Sequence, residues 1–122
     1  MRILFILIIP LLFIGCSQTT TKYHEKHYQT LLCDELKGEM EYVLEDRTRV
    51  DCLTDEYAIE VDFAKKWAES IGQSLYYAYM TDTKPAVGLI VDDKKDQRYL
   101  RRLELMADEY GIKIFIIEKE KR

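Results

Sequence analysis

Hydrophobic and polar positions follow two kinds of pattern along residues 28–118, and each pattern predicts one type of secondary structure. Apolar residues recur every three or four positions in residues 28–36, 64–79 and 99–110, which predicts three amphipathic helices. Other segments alternate between apolar and polar residues or are continuously apolar, which predicts five strands. The predicted strands are residues 39–45, 49–54, 57–63, 86–91 and 112–117.

The order of these elements predicts an α/β domain with a mixed sheet flanked by helices. Short turns join the first three strands, so we expect an antiparallel meander. The last two strands each follow a helix, so we expect each to lie parallel to a neighbouring strand. A chain of 122 residues suits one such domain and leaves little room for a second.

The N-terminal residues predict an exported protein. Residues 1–15 hold one arginine and an apolar run, which is typical of a secretory signal and too short to span a bilayer comfortably. The ending Phe13-Ile14-Gly15-Cys16 resembles a bacterial lipobox, which implies cleavage after Gly15, a lipid on Cys16 and a membrane-anchored location in the cell envelope. The alternative is an ordinary N-terminal membrane anchor. Residues 16–27 then form a polar tether, and residues 119–122 a charged tail.

The net charge bears on the binding partners of the protein, and the cysteines bear on its redox state. The net charge of −4 at pH 7 does not favour tight, charge-driven binding of nucleic acid, although it is compatible with a local basic patch. Cys33 and Cys52 would face an oxidising compartment in an exported protein. The sequence does not show that their geometry allows a bond, so we expect two reduced, partly buried thiols rather than a disulfide.

Carboxylates on the predicted meander are the candidate chemistry. Asp51 lies on the second strand, and Glu60 and Asp62 share one face of the third. If strand pairing brings Asp51 near Glu60, two carboxylates converge, and a three-residue loop at 45–47 places Glu41 opposite Asp51. Such acids repel each other unless a cation lies between them, and Mg²⁺, with Mn²⁺ as an alternative, suits oxygen ligands. The alternative interpretation is a solvated polar face of the sheet.

A polar stripe continues from these acids onto the second helix. Lys66, Glu69 and Gln73 follow Asp62 at spacings of four, three and four residues. A lysine beside carboxylates can orient or deprotonate a water, or stabilise charge that develops on a phosphate. The alternative is that Lys66 and Glu69 belong to an ordinary exposed helix face.

Over residues 28–91, this element order and these acids resemble the PD-(D/E)XK nuclease superfamily, whose core is the restriction-endonuclease-like fold. The resemblance implies that Asp51 is the first metal-binding aspartate and that Glu60 is the acid of the (D/E)XK element, with the main-chain carbonyl of Val61 nearby. It also implies a role for Gln73, which resembles the glutamine found on the following helix in the recombination-nuclease branch.

One position departs from the family pattern. The lysine expected two residues after Glu60 is Asp62 in this chain. Some members of the superfamily carry that lysine on the neighbouring helix, where Lys66 lies. The resemblance therefore implies a catalytic set of Asp51, Glu60, Lys66 and Gln73, with metal ligands from Asp51, Glu60, Val61 and Glu41.

Two functions remain open on this basis. The first is Mg²⁺-dependent hydrolysis of phosphodiester bonds in nucleic acid, with Arg47, Arg49 and Lys65 as candidates for phosphate contacts. The second is a non-catalytic, membrane-anchored lipoprotein that retains the nuclease fold for binding or structural purposes. The small size of the domain and its acidic charge favour the second.

Overall fold

The structure is a computed structural model that describes residues 23–92 and 94–121. The predicted signal segment 1–15, the lipidation at Cys16 and most of the predicted tether lie outside the described residues. Within the described ranges, none of the helices has the length and apolar character that crossing a bilayer requires.

Three helices cover the two faces of a five-stranded sheet. The helices are α1 Glu25–Glu35, α2 Trp67–Thr81 and α3 Gln97–Tyr110, with a 3₁₀ turn Ala64–Lys66 leading into α2. The strands are β1 Glu39–Val43, β2 Arg49–Leu53, β3 Tyr57–Phe63, β4 Lys84–Val91 and β5 Lys113–Glu118. Their spatial order is β1-β2-β3-β4-β5; the first three are antiparallel, and β3, β4 and β5 are parallel. The predicted α/β class, element order and mixed sheet are therefore confirmed.

The sheet is buried on both sides at its centre. On one face, Tyr28, Leu32 and Cys33 of α1 pack against residues of β2, β3 and β4. On the other face, α3 and the start of α2 cover β4, and the C-terminal half of α2 covers the β1–β2–β3 meander. Because β3 lies under α1 on one side and under α2 on the other, any carboxylate on β3 is withdrawn from solvent.

The start of the domain corrects one prediction. Helix α1 begins at Glu25, so residues 25–27 belong to the fold rather than to the tether. The physical reason is a set of long-range contacts that hydropathy does not show. The ring of His27 stacks on Tyr23 with centroids 4.1 Å apart, and its Nε2 lies 3.1 Å from Glu120 Oε1. Glu120 also donates its main-chain N–H to the hydroxyl of Tyr28, so part of the predicted tail contacts the domain.

The cysteines correct a second prediction, because Cys33 and Cys52 form a disulfide with Cα atoms 5.7 Å apart. The expectation of two reduced thiols was wrong. A tight turn after α1 leads directly into β1, whose register sets Met40 opposite Cys52. That register places Cys52 beneath α1, next to Cys33, which sequence spacing alone did not establish.

Candidate active site

The candidate site lies where β2 and β3 separate. The two strands pair at Cys52–Ile59 and Leu53–Ala58, and continuing this register sets Asp51 opposite Glu60. There, side chains accept hydrogen bonds that main-chain carbonyls would accept in a regular sheet. Val61 N–H donates to Asp51 Oδ2 at 2.8 Å, and Asp51 N–H donates to Glu60 Oε1 at 3.4 Å. The convergence of Asp51 and Glu60 predicted from alternation is therefore present in the fold.

Burial decides between the two interpretations of these acids. Glu60 is only 4% exposed and Asp62 only 6%, since α2 covers their face of β3. Ser70 of α2, itself fully buried, donates its hydroxyl to Asp62 Oδ2 at 2.9 Å. The interpretation of this face as a solvated polar surface is therefore wrong for Glu60 and Asp62.

Burial and mutual repulsion change the protonation of the pair. Burial, together with the charge of Asp51, raises the pKa of Glu60 to about 9. Burial, with smaller contributions from the charges of Asp62 and Glu41, raises the pKa of Asp51 to about 6. Burial also raises the pKa of Asp62, against the opposing effects of Ser70 and Lys66. At neutral pH, Glu60 therefore retains a proton, which it shares with the Asp51 carboxylate.

A further acid, Glu25, joins the site from α1. Its carboxyl shares a hydrogen bond with Asp62, and burial followed by the charge of Asp62 raises the pKa of Glu25 to about 7. The sequence interpretation missed Glu25 because it placed the residue in the tether. A signal was present, since Glu25, Tyr28 and Leu32 follow the spacing of a single helix face.

Gln29 is a second residue that sequence reasoning missed, and it braces β2 at the separation point. The Nε2 of this buried side chain donates to the carbonyl of Asp51 at 2.7 Å and to Glu41 Oε1 at 3.0 Å. That carbonyl lies where regular pairing with β3 has ended. Gln29 therefore satisfies a main-chain acceptor and fixes the position of Asp51.

Glu41 lies at the rim rather than between the two acids. The flanking pairs Met40–Cys52 and Tyr42–Val50 place it opposite Asp51, as the predicted loop length implied. Its Oε1 accepts from Lys26 Nζ at 2.7 Å as well as from Gln29. Hydrogen bonds from Lys26 and Gln29 lower the pKa of Glu41, so Glu41 stays ionised and is already engaged by two donors.

Lys66 reaches the site at Asp62. Its Nζ lies 3.9 Å from Asp62 Oδ1, and its side chain is 54% exposed. Glu60 lies two residues before Asp62 on the same face of β3, about 7 Å along the strand. The Lys66 ammonium group thus lies in the region that a lysine at position 62 could reach. It is on the solvent side of the carboxylates and not between Asp51 and Glu60.

Gln73, which the resemblance implies, and the neighbouring tyrosines of α2 have different environments. Gln73 is exposed, and within residues 23–92 and 94–121 no hydrogen bond joins its side chain to these carboxylates. Tyr76 donates its hydroxyl to Asp46 in the β1–β2 loop. Tyr77 is buried beside Glu60, and burial followed by the Glu60 charge raises the pKa of Tyr77. The helix residue that does contact the acids is Ser70.

The resemblance implies a divalent cation at this site. No group of three or more His, Cys, Asp and Glu side chains in the described part of the chain has a metal-binding arrangement. Asp51 and Glu60 nevertheless supply two carboxylates, and the carbonyl of Val61 points to the same side of β3 as its N–H, toward Asp51. An oxygen-only set of this size fits Mg²⁺ or Mn²⁺, since Mg²⁺ keeps several waters and uses one or two carboxylates.

Comparison with protein-family models, with curated proteins and with solved structures finds no match to this chain. The chemistry of the site is therefore the basis for assigning a function. That chemistry consists of a buried and a half-buried carboxyl group, a bracing amide, a main-chain carbonyl and a half-exposed lysine.

Proposed function

We propose that this protein is a lipid-anchored, metal-dependent nuclease of the bacterial cell envelope that hydrolyses phosphodiester bonds in nucleic acid. The observation that carries the proposal is the Asp51–Glu60 pair, opposed across separating strands, with Glu60 buried beneath α2 and Asp51 half-buried. Burying two neighbouring acids without a cation destabilises the folded state. Such perturbed carboxylates concentrate at functional sites, and a bound cation would remove the penalty.

The fold supports the same proposal at a coarser level. The helix, three-stranded meander, helix and parallel strand of residues 25–91 follow the core order of the restriction-endonuclease-like fold. The disulfide between Cys33 and Cys52 is typical of proteins in oxidising compartments. It therefore supports export, as the signal segment and Cys16 predict.

The proposed roles follow from where the residues lie. Asp51, Glu60 and the Val61 carbonyl would hold the cation, which when bound acts as a Lewis acid and lowers the pKa of a coordinated water. Gln29 and the Val61 N–H fix the orientation of Asp51. Glu41 forms the outer acidic wall and is the candidate for a further ligand.

Lys66 and Gln73 would act on the substrate from the solvent side. Asp62 holds the Lys66 ammonium at the mouth of the site, where it orients a water or stabilises negative charge that develops on the phosphate. Gln73, exposed on α2, is the candidate for positioning the substrate.

The test is hydrolysis of fluorescently labelled DNA and RNA oligonucleotides in Mg²⁺ or Mn²⁺. We expect Asp51→Asn to lower the rate more than about 100-fold, because groups that merely orient metal ligands already cost 10- to 100-fold. Asp34→Asn is the matched control, since Asp34 is exposed on α1 and should leave the rate unchanged. Equal rates for Asp51→Asn and the native chain would contradict the proposal.

One observation favours the non-catalytic alternative. Every fully buried side-chain nitrogen and oxygen in the described residues has a hydrogen-bond partner, so none of these atoms needs a cation to be satisfied. A lipoprotein that retains the fold for binding would show neither hydrolysis of either nucleic acid nor a change in thermal stability on adding Mn²⁺. That combined result would establish the alternative.

A further inference from the structure

A strongly basic cavity of about 840 Å³ lies beside the carboxylate site. It opens near the ends of β3 and β4 and the start of α3. Among the described residues, seven Lys and Arg side chains and two aspartates line it. The basic residues come from three segments: the 3₁₀ turn Ala64–Lys66, residues 94–101 and Lys119. The described part of the lining therefore carries a net +5, although the whole chain carries −4.

This charge distribution selects where a polyanion can bind. With +5 on the described lining and −4 on the whole chain, the remaining residues of the sequence, Asp93 among them, together carry −9. A polyanion is attracted to the cavity and repelled by the rest of the surface. The two aspartates are already counted in that net charge, and one of them, Asp96, accepts the main-chain N–H of Asp92 at 2.7 Å.

Two aromatic rings give the cavity a second kind of recognition. Phe63 and Tyr99 both line it and are half-buried. Lys119 Nζ lies 5.6 Å from the Phe63 ring centroid, and Arg98 Cζ lies 4.7 Å from the Tyr99 ring centroid. Sites for single-stranded nucleic acid combine cations that follow the backbone with aromatic faces on which bases stack.

Lys66 joins the cavity to the carboxylate site. It lines the cavity, and its Nζ lies 3.9 Å from Asp62 Oδ1. A phosphate that contacts Lys66 from the cavity therefore lies at the mouth of the Asp51–Glu60 site.

We propose that this cavity binds the backbone of a single-stranded nucleic acid and holds one phosphate at Lys66, against the carboxylates. The inference deepens the proposed function, on which it rests for the identity of the polyanion. The size of the cavity favours single strands, because it matches pockets for compact ligands. Specific duplex recognition buries about 1,000–2,500 Å² of protein surface.

Binding is measured separately from hydrolysis, by fluorescence anisotropy of a labelled single strand of about eight nucleotides, a typical site length. The full chain is kept in non-ionic detergent with EDTA, so that no divalent cation is present. We expect a Kd of about 10⁻⁴ to 10⁻⁶ M at physiological salt, weakening as salt increases. Equal affinity at low and high salt would overturn the inference.

Two double variants with the same charge change locate the binding. Lys95→Glu with Arg101→Glu removes two cavity cations, so we expect at least about tenfold weaker binding and a logarithmic salt slope smaller by about 1.4. Lys37→Glu with Lys113→Glu changes exposed residues outside the lining and should alter Kd by less than about twofold, because salt screens distant charges. Equal weakening in both double variants would overturn the inference, as would preserved binding in the cavity variant.

The other outcomes separate the two proposals and the two ligand sources. Intact binding in EDTA, without hydrolysis in Mn²⁺, supports the cavity inference and removes the nuclease proposal. Hydrolysis that the cavity variant leaves unchanged overturns the cavity inference alone. Cavity-dependent binding to phosphatidylglycerol vesicles, without binding of the oligonucleotide, would assign the cavity to a lipid surface and overturn the inference.

Discussion

At the scale of single residues, the site exists because side chains take over hydrogen bonds that a regular sheet would make. The Asp51 carboxylate accepts the N–H of Val61, the Glu60 carboxyl accepts the N–H of Asp51, and Gln29 donates to the Asp51 carbonyl. Buried main-chain groups need such partners. The opening between β2 and β3 is therefore held by the same groups that we propose for chemistry.

Ser70 and Ser74 offer a matched comparison, since both are fully buried on α2. The Ser70 hydroxyl lies within hydrogen-bond distance of the Asp62 carboxylate as well as of the Lys66 carbonyl, whereas the Ser74 hydroxyl donates to the Ile71 carbonyl. Hydrogen bonds to charged groups contribute about 1.5–3 kcal/mol and neutral ones about 0.5–1.5 kcal/mol. We therefore expect Ser70→Ala to reduce the free energy of unfolding more than Ser74→Ala does, as measured by urea denaturation at pH 7. Equal losses would show that Asp62 does not depend on Ser70.

At the scale of elements, the disulfide and the turn between α1 and β1 fix α1 on the sheet. Lys37, not Gly38, takes the left-handed conformation in that turn, with φ of 54°. Gly38 is required for space instead, since a Cβ there would lie 2.4 Å from Cys52 Sγ and 2.9 Å from Cys33 Sγ. Glycine at position 38 is thus required by the space available and not by its backbone conformation.

Substitution of two glycines by alanine should therefore have opposite effects. Gly38→Ala should destabilise the protein by about 1–3 kcal/mol, the usual cost of overpacking. Gly72→Ala should stabilise it by about 1 kcal/mol, because Gly72 lies inside α2 with open space around its Cβ position. Thermal unfolding of both variants checks the pair, and a reductant should lessen the Gly38→Ala penalty by freeing the sulfur atoms. A neutral effect of Gly38→Ala in the oxidised protein would contradict the close contact.

At the scale of the whole molecule, buried acids and a basic cavity lie next to each other. The acids raise one another's pKa values, and Lys66 is the cation shared by the two regions. The folded state therefore holds protons that the unfolded chain releases. This arrangement links stability to pH and to divalent cations.

The sign of that linkage follows from the raised pKa values of about 6 for Asp51, 7 for Glu25 and 9 for Glu60. Unfolded acids titrate near pH 4, so these groups contribute stability that is complete below about pH 4. It is lost as pH rises through each folded pKa. We expect the melting temperature to fall between pH 5 and pH 9 in EDTA.

Mn²⁺ should restore more stability at pH 8 than at pH 5.5, because carboxylates bind cations only after losing their protons. At 100 times its Kd, the ion would add about 2.7 kcal/mol, and each kcal/mol raises the melting temperature of a domain of this size by about 4–8 °C. Glu60→Gln should abolish most of this difference, whereas Glu35→Gln, on the exposed surface of α1, should not. The same Mn²⁺ shift at both pH values would contradict the linkage.

The sequence by itself determined the elements and their faces. Periodicity reports local burial, so it located the helices and the five strands, and alternation placed Glu60 and Asp62 on one face of β3. The length of the loop at 45–47 set Glu41 opposite Asp51, whereas the pairing of Asp51 with Glu60 was only a condition that the β2–β3 register then met. These predictions succeeded because each depends on residues that are close together in the chain.

Only the tertiary structure decided what surrounds those acids. Glu25, Gln29 and Ser70 reach the site from two helices, Cys33 meets Cys52, and the cavity cations come from three separate segments. Neither spacing nor hydropathy predicts these tertiary contacts, because the contacts depend on how α1 and α2 pack on opposite faces of the sheet. The same packing withdraws from solvent the acids that the sequence pattern alone allowed to be solvated. This burial raises the pKa values of Asp51 and Glu60.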